Sequence, residues 1–98
     1  MERNDVYNHV NNEREYQELR WNTENKLDIT PDSEKPIAEW INYIEYHISK
    51  AKESIYYLNE EQALAEIRKI TALGIACMEI HGCPQRIIPK ELIKKNLK

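Results

Sequence analysis

Tyr43, Tyr46, His47, Lys50, Ser54 and Tyr57 fall within one helical stretch. At about 100° per residue they share a face of that helix. These side-chain types suit an aromatic anion such as a nucleotide. A base needs a flat π-face, and phosphates need cations and N–H donors. The face lies roughly a third of a turn from the apolar stripe of the same helix. A plainer reading therefore stands beside it: tyrosines on a core flank that bury their rings and keep their hydroxyls wet.

The elements that position this face are helical. Val6, Val10, Tyr16 and Trp21 are the sparse apolar positions of a short N-terminal helix over residues 5–21, which needs a partner to be stable. Residues 22–35, NTENKLDITPDSEK, are turn-rich and read as a loop. Pro36 suits a first helical turn. Behind it Ile37, Trp40, Ile41, Ile44, Ile48, Ala51, Ile55 and Leu58 follow at spacings of three and four, a long helix over 36–58. Asn59 with Gln62 three residues later forms a capping box for a second long helix over 60–81. Gly82 and Pro84 end that helix, and Pro89 opens a short one over 89–97.

In the second long helix, residues 70–78, ITALGIACM, are apolar almost all round. Ala63, Ile67, Ile70, Gly74 and Met78 make one face; Ala72, Leu73, Ala76 and Ile80 make another. In so short a chain the second cover is expected from another subunit. The expected architecture is all-α: a single-domain antiparallel bundle spanning residues 1–98, completed by homo-oligomerisation.

Composition narrows the function. At 98 residues, with 32% charged and 41% hydrophobic residues, the sequence reads as one globular domain. No apolar run reaches the roughly 18 residues of a membrane helix, and the N-terminus lacks a signal-type apolar region. No membrane association is expected, and the protein is placed in the cytoplasm. Residues 1–45 hold 11 acids and 5 bases, while residues 46–98 hold 6 acids and 9 bases. An acidic chain argues against nonspecific duplex binding, and no sequence-specific DNA binding is expected. Cys77, His81 and Cys83 can be drawn as C-x3-H-x-C, but no fourth zinc ligand is evident. Neither a metal nor another cofactor is expected.

The opening EREYQELRW, with Glu13, Arg14, Gln17 and Trp21, resembles the E-R-x-x-Q-x-x-x-W opening of MazG-like proteins, which occur in phages and bacteria. EWINYIEYHISKA, through Glu39, Trp40, Tyr43, Ile44 and Ala51, resembles the first long helix of phage members. EIRKITALGIACMEIHGCPQR, through Lys69, Ala72, Leu73, Ala76, Glu79 and Arg86, resembles the second. The likeness covers most of residues 10–86. It implies an all-α nucleotide pyrophosphohydrolase fold, in which E-x-x-E on one helix and E-x-x-D on the next hold Mg²⁺. Here Tyr46 or His47, then Lys50, stand where the first acid pair is implied. Glu66 survives on the next helix, but its i+3 partner is Lys69. An ammonium within a few ångströms opposes a bound cation by about 1–4 kcal/mol per unit charge.

The resemblance and its departures together imply a non-catalytic protein that grips a nucleotide, cyclic or linear, without a metal. Small oligomeric phage proteins that sequester nucleotide immune signals offer the analogy; a phage-borne copy would act in the host cytoplasm. The expected ligand-binding residues are Tyr43, Tyr46, His47, Lys50 and Lys69. From the N-terminal helix come Arg14 for phosphate, Tyr16 or Trp21 for stacking, and Gln17 by its place in the motif. Two alternatives stay open: a divergent Mg²⁺-dependent pyrophosphohydrolase using Glu45, Glu66 and Glu79, with or without Glu15 and Glu18, or a helical protein-interaction module with tyrosine anchors.

Overall fold

The computed structural model describes residues 1–23 and 31–96. They form four α-helices: α1 (Arg3–Thr23), α2 (Ile37–Tyr56), α3 (Glu60–His81) and α4 (Lys90–Asn96). A single 3₁₀ turn over Asp32–Glu34 precedes α2. No strand occurs among the described residues, so the all-α expectation holds. Residues 24–30 of the expected loop and the last two residues of the chain lie outside the described residues.

α2 and α3 form a hairpin in whose turn Asn59 both ends one helix and caps the next. The N–H of Leu58 bonds to the carbonyl of Ile55 at 3.0 Å, and the N–H of Asn59 to that of Ser54 at 2.8 Å. This is a Schellman ending, in which the residue before Asn59 must take a left-handed conformation. Leu58 does so with φ 59°, and it is exposed. Asn59 then caps α3, its Oδ1 accepting from the N–H of Gln62 at 3.1 Å. At the far end of α3, Gly82 takes φ 100° and donates its N–H to the carbonyl of Met78.

The core lies at that far end. Trp40, Leu73 and Ala76 are buried, with Trp21, Tyr43, Ile44, Cys77 and Ile80 packed around them. Trp40 meets Trp21 at 6.1 Å between ring centroids and Tyr43 edge-on at 6.2 Å. Leu73, on the α3 face expected to await another subunit, is thus covered within the chain, by Trp40 of α2. Ala72 and Ala76 of that face are buried too. Of the other face Ala63 is buried as well, while Ile67 and Met78, with neighbouring Leu64, are exposed.

α1 joins through polar contacts rather than an apolar stripe. Val10 is its one buried apolar residue; Val6 and Tyr16, two of its sparse apolar positions, are exposed. Instead Arg68 Nε donates to Glu13 Oε1 at 2.8 Å, and Arg14 makes a two-pronged contact with Glu79 at 3.1 and 3.2 Å. Gln17 donates to the carbonyl of Lys69 at 3.3 Å.

Candidate functional site

Glu66 lies on the buried line of α3, only 2% exposed. Gln62 and Lys69 stand four residues before and three after it, the two spacings that bring helix side chains together. His47 faces it from α2. The carboxylate receives all three: His47 Nδ1 is 2.7 Å from Oε2, and Gln62 Nε2 and Lys69 Nζ donate to Oε1 at 3.1 and 3.3 Å. Burial alone would raise the pKa of Glu66. The hydrogen bonds from His47 and Lys69, with their charges, outweigh that and hold it below its ordinary value. A charged carboxylate places an imidazole proton on Nδ1, which donates to it.

Lys50 lies one turn beyond Tyr46 on α2, its Nζ 4.7 Å from the centre of the Tyr46 ring. Tyr46 in turn meets the His47 ring edge-on at 5.2 Å. Tyr46 raises the Lys50 pKa, first as a hydrogen-bonding partner and then as a charge, and the Glu66 carboxylate adds to this. The cluster therefore joins Tyr46, His47 and Lys50 of α2 to Gln62, Glu66 and Lys69 of α3. The Lys69 ammonium and the His47 imidazole share a buried carboxylate, and the Lys50 ammonium, seated on Tyr46, feels its charge. That balance favours a further anion over a cation.

The other expected ligand residues are placed elsewhere. Tyr43 donates its hydroxyl to Glu39 at 2.9 Å. The rings of Tyr43, Trp21 and Trp40 surround the Lys35 ammonium at 5.5, 5.6 and 6.0 Å. Lys35 is itself buried, paired with Asp32 at 2.9 Å, and its carbonyl meets His81 Nε2 at 2.8 Å. Two rings expected to stack on a base thus enclose a lysine. Arg14 is held by Glu79 and Glu18, with its Nη1 buried and unpartnered. Tyr16 borders a shallow depression with His9, Asn12, Glu13 and Arg68. Gln17, through Lys69, is the expected α1 residue that the structure ties to the cluster.

The structure adds Gln62 and Lys35 to the residues the sequence singled out. Gln62 stood in the sequence as a capping residue, and its spacing to Glu66 was the available signal. Nothing in the pattern around Lys35 marks an aromatic enclosure, because Trp21, Trp40 and Tyr43 come from two separate helices. Among the described residues no three His, Cys, Asp or Glu side chains gather as metal ligands would. Cys77 and Cys83 are free thiols. No described helix is long and apolar enough to cross a membrane.

Compared with family models, curated proteins and solved structures, the chain matches none of them. The functional reading therefore rests on the Glu66 cluster and its surroundings.

Proposed function

We propose that this is a non-catalytic, MazG-like nucleotide-binding protein that works as a homo-oligomer and sequesters a nucleotide signal, in the manner of a phage anti-defence sponge. The observation that carries the reading is the cluster at Glu66. Lys50 and Lys69 stand on facing helices where the resemblance implies carboxylates, and one buried acid balances them. Lys69 keeps a third of its side chain exposed and His47 about a quarter, at 33% and 23%. Both can turn from Glu66 to an incoming phosphate without unfolding either helix. The exposed Tyr46 ring offers a π-face beside them.

Thermal melting with a panel of mononucleotides and dinucleotides, with and without EDTA, tests this. Ligand that binds the native state raises Tm by mass action. The expected result is a shift that EDTA leaves unchanged, with no hydrolysis product. A shift that requires Mg²⁺ and yields product would replace this reading with a hydrolase. No shift with any nucleotide would replace it with an interaction module.

A further inference from the structure

We propose that two copies of this chain pair through the open apolar face of the α2–α3 hairpin, giving an isologous dimer whose Glu66 clusters stay outside the contact. The inference rests on the self-association in the reading above and is independent of the nucleotide. From residue 37 to residue 58 apolar side chains fall at 37, 41, 44, 48, 51, 55 and 58, alternating steps of four and three. That is the spacing of a coiled-coil seam, wide enough along α2 for a facing helix to cover only part of it. α3 half-buries one row of the seam, Ile44 and Ala51. The other row, Ile41, Ile48 and Ile55, remains 40–53% exposed.

α3 presents a matching surface. Leu64 and Ile67 are 65% and 52% exposed, and around the helix they lie away from Glu66, Lys69 and Leu73. Between the two rows runs a groove of about 610 Å³, with Ala51 and Ala63 set low between Ile48, Ile55, Leu64 and Ile67. A ridge of isoleucines beside a groove with small residues is self-complementary, as a twofold contact requires. Lys52 and Glu60 both border the groove, so it carries one charge of each sign and a second copy meets no net repulsion. The surface continues past Leu64 and Ile67 to Met1 and to Val6 of α1.

Size points the same way. The seam is roughly 30 Å long, and two helices are about 20 Å wide. The face is thus on the order of 600 Å², at the upper end of patches left on monomers and close to the roughly 800 Å² per partner of a stable interface. Polar groups that would orient a small ligand are sparse along it, so a second copy is the occupant that its chemistry fits.

Sedimentation equilibrium from 1 to 100 µM tests the pairing. The wild type is expected at twice the 11.7 kDa chain mass. Ile48→Glu and Ile67→Glu are each expected at the single-chain mass with helical circular dichroism retained, because both side chains are half exposed in one chain. Should either variant lose helicity, the milder pair Ile48→Ser and Leu64→Ser is expected to weaken pairing at least tenfold. Tyr56→Glu, Lys50→Ala and Lys69→Ala are expected to keep the wild-type mass, which separates this proposal from the fate of the anion site. A wild-type single chain at 100 µM, an assembly larger than two, or an unchanged mass in the Ile48 and Ile67 variants would overturn it.

Discussion

The imidazole of His47 lies 2.7 Å from the carboxylate of Glu66, joining the two long helices at the one acid buried in α3. The contact is both a tie between α2 and α3 and the reason Glu66 stays charged while buried.

Removing that charge should make stability less dependent on acid. The folded pKa of Glu66 is held below the ordinary 4.5. The stability it contributes is present above the unfolded pKa and is lost as pH falls through the folded one. Glu66→Gln should cost about 1–3 kcal/mol at pH 7, where His47 and Lys69 lose a charged acceptor. Its melting temperature should then fall less steeply than the wild type's below pH 4.5. Parallel melting curves for the two proteins across that range would locate the acid sensitivity elsewhere.

Lys50→Ala and Lys69→Ala should each weaken nucleotide binding about 10- to 150-fold, through the loss of one charge-assisted hydrogen bond to phosphate. Titration calorimetry with the best-binding nucleotide, in EDTA, measures this. Full affinity in both variants, with binding abolished by EDTA in the wild type, would point to carboxylates holding a metal.

Leu58→Gly should stabilise the protein by about 1 kcal/mol. Leu58 has φ 59° at the Schellman position, where a side chain is strained and glycine is not. Tm should rise by roughly 4–8 °C for a domain of this size. An unchanged or lower Tm would mean that the leucine makes a compensating contact in the assembled protein.

Lys35→Ala should destabilise by about 1–3 kcal/mol, because it removes a buried ammonium from three rings and from Asp32. Tryptophan fluorescence reports it directly, since Trp21 and Trp40 both border that ammonium. An unaltered emission spectrum would show that the enclosure is not kept in solution.

Helix positions were legible because local signals repeat there. Apolar spacing marked α2 and α3, and Asn59, Pro36 and Gly82 marked their ends. α1 runs from Arg3 to Thr23, beyond the expected 5–21 at both ends, since its polar residues carry no apolar period to bound it. The cluster at Glu66 was partly legible: Tyr46, His47, Lys50 and Lys69 were marked by their types and by the resemblance. The fate of Leu73, Trp21 and Tyr43 was not. Periodicity shows that a face is apolar, but not whether a helix of the same chain covers it. Nor does it show which lysine fills a gap between rings drawn from two helices.

The polar docking of α1 sets a second stability scale inside the molecule. Glu13–Arg68 and Arg14–Glu79 are ion pairs with exposed members, so added salt screens them while leaving the Trp40–Leu73 core untouched. The stretch of α1 before Trp21, which packs on Trp40, should therefore open at lower free energy than the hairpin, and its amides should exchange with solvent faster as ionic strength rises. Each opening also lifts Gln17 from the carbonyl of Lys69. The accessibility of the anion site is thereby coupled to the salt around it.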